Sequence, residues 1–207
     1  MKRKEEPVLT NSSFKCIHLS LNKKVNEDIN NFTVKFLEGK GVLDYLQQNA
    51  VRDENENRAR TYLIYDIETK ELAGYFTLKA GLILHNDEVD KEYVKPRNLG
   101  DSFESLSAIE LAYFAVNSTY VENHPISSHY GTLFFSEFIY VLAKMASEII
   151  GASILYGFSV NEDKLLEHYL TEYGFDRLSE KYENELHERF RPYTDDRCIF
   201  IYQLLDF

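Results

Sequence analysis

The chain has 207 residues, of which 44% are hydrophobic, 28% charged and 14% aromatic, and 23 basic against 34 acidic residues leave a formal net charge of −11. This composition is typical of a folded globular chain rather than a disordered one, and the length suits one domain. The acidic balance argues against general nucleic-acid binding, because Lys and Arg that neutralise phosphates carry most of that affinity.

The two cysteines, Cys16 and Cys198, are far apart and form no Cys-x-x-Cys spacing. Neither a disulfide framework nor a zinc knuckle is expected, and reduced thiols in a cytoplasmic protein are the simplest interpretation. Residues 1–7 are mostly charged and no apolar segment follows them, so no secretory signal is expected. No apolar run is long enough to predict a membrane span.

The chain is predicted to begin with a flexible tail over residues 1–12, followed by a single domain over residues 13–207. The first strand is expected at residues 14–21, where apolar and polar residues alternate. Residues 22–31 are polar, and they predict a loop or a short helix.

Helical spacing follows, because apolar residues recur at i, i+3 and i+7. The pattern predicts a helix over about residues 42–58, and it consists of Leu43, Leu46 and Ala50. Two segments rich in aromatic and branched residues, 61–66 and 72–79, then flank the polar link 67–71. This arrangement predicts a β-hairpin.

The apolar run over residues 108–116 predicts a strand buried on both faces, with Glu110 as its one charged residue. A carboxylate in such a strand costs free energy unless it is paired or solvated, and such placement is typical of functional acids and bases. The polar segment over residues 117–129 predicts a long loop that ends at Tyr130 and Gly131.

The last third of the chain predicts a parallel crossover. A helix is expected from residue 132 to a stop at Gly151, and a second buried strand over residues 153–160. Strand, helix and strand in this order imply parallel pairing. A further helix over residues 163–172 and a last strand over residues 198–205 complete the chain. The helix from residue 132 has an apolar stripe of Phe134, Phe138, Val141, Leu142, Met145 and Ile149.

Four sequence segments in this order resemble the GNAT superfamily of N-acetyltransferases. They are the hairpin YLIYDIETKELAGYFTLKAG, the strand IELAYFAV, the helix start HYGTLFFSEF and the helix VNEDKLLEHYLTEYGF. Two stretches, GVLDYLQQNAVRDENENRARTYLIYD and ASEIIGASILYGFSVNEDKLLEHYLTEYGF, also resemble the branch that includes the bacterial GNAT toxins. The resemblance implies an α/β (α+β) GNAT fold, with a central mixed, twisted sheet and helices on both faces.

The resemblance also implies that acetyl-coenzyme A is the cosubstrate. In the family, the backbone at the strand end pairs with the pantetheine arm, and amides at the start of the next helix hold the diphosphate. Successive N–H groups and the helix dipole favour such an anion. Asn161 fits the family position that hydrogen-bonds the pantetheine or orders the last helix. The strand and helix residues implied here are Phe114, Ala115, Val116, His129, Tyr130, Gly131, Thr132 and Leu133.

The helix start departs from the family pattern. The usual Gln/Arg-x-x-Gly-x-Gly/Ala is reduced to SSHYGT over residues 127–132, with Gly131 as the one clear glycine. Ser128 or His129 would then donate where Gln or Arg usually stands. The alternative is that Gly131 only lets the helix begin and that cofactor binding is lost.

Glu110 resembles the catalytic base of the histone-acetylating GNAT members, because it lies six residues before Val116. In those enzymes the glutamate takes a proton, often through water, from the attacking ammonium. A base is needed because a primary amine with a pKa of about 10.4 is almost wholly protonated at neutral pH. The alternative is a structural carboxylate bonded to a neighbouring strand or loop.

The general acid for the departing thiolate is predicted to be Tyr169, by resemblance to the family's tyrosine. Counting along the helix from its two ends gives registers two residues apart, and Tyr169 lies between them. A one-residue helical bulge would reconcile the two counts. His168 and Tyr173 are the alternatives. The oxyanion would be met by a backbone N–H near Ala115 or Val116.

The sequence therefore predicts an enzyme that transfers acetyl directly from acetyl-coenzyme A to a primary amine. A small polyamine or aminoglycoside-like amine, a protein N-terminus or lysine, and aminoacyl-tRNA are the acceptor classes. The negative charge favours cationic acceptors and counts against tRNA and other nucleic acids. A non-catalytic coenzyme A-binding or protein-interaction module is the alternative, because the glycine loop is reduced.

Other partners follow from the same residues. The aromatic content leaves room for a homodimer interface, and no membrane partner is expected. His124 and His129 lie on a loop with no third ligand apparent in the sequence, so no metal site is expected.

Overall fold

The architecture is known from a computed structural model, which describes residues 7–21, 25–35, 40–85, 104–125, 129–180, 183–184 and 198–205. In that part of the chain the sheet has eight strands in the order β1-β2-β3-β4-β5-β6-β8-β7. Every neighbouring pair is antiparallel except β5 and β6, which are parallel. The strands are β1 (Leu9–Thr10), β2 (Phe14–His18), β3 (Arg60–Asp66), β4 (Leu72–His85), β5 (Glu104–Val116), β6 (Ile154–Val160), β7 (Asp176–Arg177) and β8 (Cys198–Leu204).

Three of the described helices contain a π-helical turn. The helices are α1 (Val25–Asn30), α2 (40–55), α3 (Ser118–Asn123), α4 (130–150) and α5 (163–172), and a 3₁₀ turn spans Leu19–Leu21. The π turns are Tyr45–Asn49 in α2, Phe135–Ile139 in α4 and His168–Glu172 in α5. None of the described helices is long and apolar enough to cross a membrane.

Helices cover both faces of the sheet because both faces are apolar. Phe76 packs in one hydrophobic cluster, which contains α4 residues such as Phe134 and Phe138. Tyr75, the preceding residue of β4, packs in a second cluster with Leu46 of α2. Successive strand residues point to opposite faces, so a strand with continuous apolar character must be covered twice. The mixed sheet with helices on both faces is thus as predicted.

The hairpin and the parallel crossover are confirmed. β3 and β4 pair antiparallel with Leu63 opposite Tyr75, and β5 pairs parallel with β6 through α4. The boundaries differ by a few residues. β2 ends at His18 and gives way to the 3₁₀ turn, and α2 ends at Asn55 rather than near residue 58.

The predicted tail is too long. Leu9 in β1 lies opposite Cys16 in β2, and the Val8 N–H donates to the Cys16 carbonyl at 2.8 Å. Residues 7–12 therefore belong to the sheet edge. Residues 1–6, 86–103 and 185–197 lie outside the described residues.

The loop predicted over residues 117–129 contains α3, and Asn117 explains why. Its Oδ1 accepts from the Thr119 N–H at 3.2 Å and from the Thr33 hydroxyl at 3.1 Å. Its Nδ2 donates to the Leu72 carbonyl at 2.8 Å. An asparagine N-cap satisfies a helix N–H that has no partner within the helix. Asn117 thus starts α3 and also fixes the end of β5.

Replacing Asn117 by Ala is expected to lower the free energy of unfolding by about 1–3 kcal/mol, because the substitution removes the cap and leaves a buried carbonyl unpaired. Urea denaturation measures the difference. Asn123→Ala, at the exposed end of the same helix, is the matched control and should change stability by less than about 0.5 kcal/mol. Equal losses in both variants would contradict the role assigned to Asn117.

A buried carboxylate holds α2 against β3. Glu54 is 7% exposed, and its Oε2 accepts from the Thr61 N–H at 3.1 Å. Its Oε1 lies 3.1 Å from Arg60 Nη1 and 3.0 Å from His18 Nε2, although the imidazole is not aligned for a hydrogen bond. Burial raises the pKa of Glu54, but His18, the Thr61 amide and Arg60 outweigh it, so the pKa lies below its usual 4.5.

We expect Glu54→Gln to lower the free energy of unfolding by about 1–3 kcal/mol at pH 7. Because the folded-state pKa is depressed, the stability from ionised Glu54 is complete above the unfolded value and is lost as pH falls through the folded value. Denaturation at several pH values should show the gap between wild type and Glu54→Gln shrinking below about pH 4.5. A gap that widens with acid would contradict the depressed pKa.

Candidate active site

The neighbouring strands β5 and β6 pair over only part of their length. Residues Ala108–Leu111 of β5 pair with Ile154–Gly157 of β6, whereas β5 continues to Val116 and β6 to Val160. A Cβ at Gly157 would lie 3.0 Å from the Leu111 carbonyl oxygen, so the two backbones are in close contact at the last paired position. Beyond this position both strands continue without pairing to each other, and we infer that a cleft opens between their ends.

The cleft is lined on one side by backbone groups of β5. The Asn117 N–H donates to the Ala73 carbonyl of β4 at 2.8 Å. Because backbone directions alternate in an antiparallel strand, the polar groups of Ala115 also face β4, and those of Phe114 and Val116 face the cleft. Of the three predicted strand residues, Phe114 and Val116 therefore offer backbone partners to a bound chain.

A cavity of about 360 Å³ lies where β5 ends and α4 begins. It brings together four residues that the sequence assigned to the cofactor, which are Val116, His129, Tyr130 and Gly131. The rest of its lining is Val121, Pro125, His168 and Tyr173. The strand end and the helix start, which are remote in sequence from α5, thus form one site.

The start of α4 offers backbone donors to this cavity. His129 is the N-cap residue, and its side chain makes no capping hydrogen bond. The first amides of a helix have no partner within it, which leaves those of Tyr130, Gly131 and Thr132 for an anion. The amide of Leu133 donates to the His129 carbonyl at 3.2 Å. Contrary to the prediction, this amide is therefore not free to bind the cofactor.

Side chains at the helix start are engaged with α5. The Thr132 hydroxyl donates to Glu172 Oε2, so this side chain is not directed at the cavity. Asn161, at the end of β6, is exposed and precedes α5. It does not belong to the cavity lining.

Tyr173 lines two cavities beside α4. Its ring stacks on Phe135 with centroids 4.6 Å apart, and it lines both the 360 Å³ cavity and a second cavity of about 500 Å³. A Cβ at Gly131 would lie 2.5 Å from the Tyr173 hydroxyl oxygen, so glycine is needed for this close approach. Burial raises the pKa of Tyr173 to about 12, and the hydroxyl is protonated at neutral pH.

The π turn His168–Glu172 is a helical bulge of the kind that would reconcile the two ways of counting to the family's tyrosine. Tyr169, which precedes Tyr173 by one turn, lies 5.1 Å from the Tyr173 ring and 5.6 Å from the Phe175 ring. Burial raises the pKa of Tyr169 as well. His168 and Tyr173 line the cavity, whereas Tyr169 does not line it and packs against the hydrophobic core.

Glu110 lies at the narrow end of the cleft, one residue before the last paired residue of β5. It is 8% exposed, and its strand neighbours are Lys79 in β4 and Tyr156 in β6. Burial raises the pKa of Tyr113, and the charge of Glu110 adds to that rise. The structure thus brings a buried carboxylate to the point where the strands separate.

A β-bulge sets the surroundings of Glu110. Thr77 lies opposite Tyr113 and Leu78 opposite Leu111, so Ala112 is the extra residue in β5. Because of this insertion Glu110 and Tyr113 share the face that α2 covers. There Tyr113 stacks on Tyr45 with centroids 3.6 Å apart, and the Lys79 ammonium lies 5.2 Å from the Tyr113 centroid.

A cluster of metal-ligand type lies beside the cavity, contrary to the expectation from the sequence. His129, His168 and Glu172 bring one ligand atom each to within 4.8 Å of one another. His124 is not part of this cluster, since its Nε2 lies 2.6 Å from Glu71 Oε2. His168 and Glu172 were missed because α5 meets the start of α4 only in the folded chain, and their i, i+4 spacing was the one sequence signal.

No protein-family model and no curated protein matches the chain. Among solved structures, it is similar to a Tyr-to-Phe variant of KacT, with 13% identity, 94% of this chain and 96% of that chain covered and a TM-score of 0.62. It is also similar to AtaTR bound with acetyl-CoA, with 14% identity, 94% of this chain and 95% of that chain covered and a TM-score of 0.57. For AtaT complexed with acetyl-methionyl-tRNAfMet the identity is 14%, the coverage is 90% of this chain and 93% of that chain, and the TM-score is 0.61. The chain therefore has the GNAT fold, which it shares with the GNAT toxins AtaT and KacT.

Proposed function

We propose that the chain is an N-acetyltransferase that moves an acetyl group directly from acetyl-coenzyme A to a primary amine. The observation that carries this proposal is the cavity where β5 ends and α4 begins, which gathers Val116, His129, Tyr130 and Gly131. A pantetheine arm would pair with the backbone of Phe114 and Val116, and the diphosphate would meet the first amides of α4. The solved complex of AtaTR with acetyl-CoA supports this use of the fold.

The chemistry requires three groups around the thioester carbonyl. Glu110 accepts the proton of the attacking ammonium, directly or through water, so that the nitrogen lone pair can form the new C–N bond. The Val116 N–H, which faces the cleft, polarises the carbonyl oxygen. The C–S bond then breaks, a tyrosine hydroxyl gives its proton to the thiolate, and the second proton that the nitrogen loses in becoming an amide restores that hydroxyl. Two reactants held in one cleft also avoid the entropy of a chance encounter.

Tyr173 is our candidate for that proton donor, because its side chain lines the cavity and that of Tyr169 does not. We expect Tyr173→Phe to lower kcat by roughly tenfold to a hundredfold, which is less than the full effect of general acid–base catalysis. The effect is smaller because a thiol with a pKa of about 8.5, as in cysteine, leaves readily as the thiolate. Tyr169→Phe is the matched control, and steady-state kinetics compares the two. A larger kcat loss in Tyr169→Phe would return the role to Tyr169, as the sequence predicts.

Aminoacyl-tRNA is the acceptor class that the neighbouring structures favour. AtaT has been solved with acetyl-methionyl-tRNAfMet, whose acetylated group is an α-amine. The sequence counted against nucleic acid because of the net charge of −11, but that total does not describe the charge around one cleft. Nucleic acid is therefore retained as a partner class, beside small polyamines and protein amines.

Acetyl-coenzyme A titration followed by an acceptor panel tests the proposal. Calorimetry on the full chain should show one binding site for acetyl-coenzyme A. Thiol release should then be measured with a polyamine, a lysine-containing peptide and charged initiator tRNA, and mass spectrometry should locate the acetyl group. Binding without turnover on any amine would favour the non-catalytic coenzyme A-binding module, and absence of binding would overturn both.

A further inference from the structure

The cluster beside the cavity has the geometry of a metal-binding site. His168 Nδ1 lies 2.6 Å from Glu172 Oε1, and the His129 and His168 rings meet edge to face with centroids 5.0 Å apart. All three ligand atoms lie within 4.8 Å of one another. Bonds of about 2.1 Å to a tetrahedral ion would hold ligand atoms roughly 3.4 Å apart. Small side-chain rotations therefore suffice to reach that spacing.

The donor set selects the kind of ion. Two imidazole nitrogens and one carboxylate oxygen suit Zn²⁺ and similar transition metals, whereas Mg²⁺ and Ca²⁺ prefer oxygen ligands alone. Three protein ligands leave one position for water or for an anionic oxygen. The ligands come from two elements, since His129 precedes α4 and the others lie in the π turn of α5.

A second group of contacts holds the carboxylate in place. The Thr132 hydroxyl donates to Glu172 Oε2, which leaves Oε1 directed at His168. Hydrogen bonds to a ligating carboxylate orient it for the metal.

We propose that His129, His168 and Glu172 bind one Zn²⁺ ion at the edge of the 360 Å³ cavity. The chain contains a natural comparison, because His124 and Glu71 form a pair with the same 2.6 Å separation. Among the described residues that pair has no third ligand within reach. Both pairs therefore have an imidazole–carboxylate contact, but only the pair of His168 and Glu172 has a third ligand, which is His129. This inference does not depend on acetyl transfer.

Calorimetry with ZnCl₂ on the metal-free full chain tests the site, with MgCl₂ as the comparison ion. Wild type should bind one equivalent of Zn²⁺ and show no comparable heat with Mg²⁺. His168→Gln and Glu172→Gln should each weaken binding by at least about tenfold, in line with the loss of a ligand. His124→Gln and Cys198→Ser should leave it unchanged, and thermal melting of the metal-free proteins confirms that every variant is folded.

Cobalt gives a second readout. Co²⁺ bound by wild type should give the visible absorption bands of a four- or five-coordinate ion, and His168→Gln should lose them. Zn²⁺ binding that is equal in wild type and Glu172→Gln, or that is lost in His124→Gln, would overturn the proposal. So would the absence of Zn²⁺ binding by wild type.

Discussion

Replacing Glu110 by Gln is expected to slow acetyl transfer by roughly 10²–10⁴-fold and to leave acetyl-coenzyme A affinity unchanged. Glutamine keeps the size and hydrogen-bonding capacity of the side chain but cannot accept the proton of the attacking ammonium. Glu110 lies at the narrow end of the cleft, between Lys79 and Tyr156 on the neighbouring strands. Single-turnover kinetics with the best acceptor of the panel separates the chemical step from binding.

Asp53→Asn is the matched control for that experiment. Asp53 is 8% exposed and, like Glu110, its charge contributes to the raised pKa of Tyr113. It lies in α2, however, and not on the strand that borders the cleft. A rate loss confined to Glu110→Gln would identify a specific proton acceptor. Equal losses in both variants would instead indicate that the site needs only negative charge, and the role of Glu110 as base would be wrong.

Gly131→Ala is expected to weaken acetyl-coenzyme A binding by at least about tenfold. The added methyl group would lie 2.5 Å from the Tyr173 hydroxyl, so the Tyr173 ring must move from its stack on Phe135. Overpacking of this kind typically costs about 1–3 kcal/mol, and because the proposed site needs the Tyr173 ring in its place, binding must recover that cost; about 1.4 kcal/mol is a factor of ten in affinity. Calorimetry with acetyl-coenzyme A measures the change.

Gly41→Ala is the control for the general effect of a glycine-to-alanine change in a helix. Nothing lies within 4 Å of the position that its Cβ would take, and Gly41 is exposed in the first turn of α2. Alanine there should leave cofactor affinity unchanged and raise stability by up to about 1 kcal/mol. If Gly131→Ala bound acetyl-coenzyme A as tightly as Gly41→Ala does, the diphosphate would not lie at the start of α4.

Most of the fold could be predicted because its strands and long helices have clear hydrophobic periods. The hairpin of β3 and β4 and the crossover through α4 depend on such local patterns, and both were found. The start of α3 could not be predicted, since Asn117 acts through Thr33 and Leu72, which are far away in sequence. The β1 edge is similarly fixed by pairing with β2 and not by a period of its own.

The candidate site could also be predicted only in part. The resemblance to the GNAT family implied the backbone of Phe114 and Val116 and the first turn of α4 as cofactor contacts, and this assignment stays a prediction. The position of Tyr173 depends on a π turn, which adds a residue to α5 without any periodic signal. The meeting of His129 with His168 likewise depends on how two helices pack, so pattern reasoning about either helix alone could not show it.

Hydrogen–deuterium exchange with and without acetyl-coenzyme A shows whether the cofactor lies between the ends of β5 and β6. If the cofactor lies in the cleft, exchange should slow at the amides of Phe114 and Val116, which face it, and at those of Tyr130 and Gly131. The amide of Ala115 already faces β4 and should change little. If acetyl-coenzyme A binds but the amides of Phe114, Val116, Tyr130 and Gly131 exchange as before, the cofactor does not lie in the cleft.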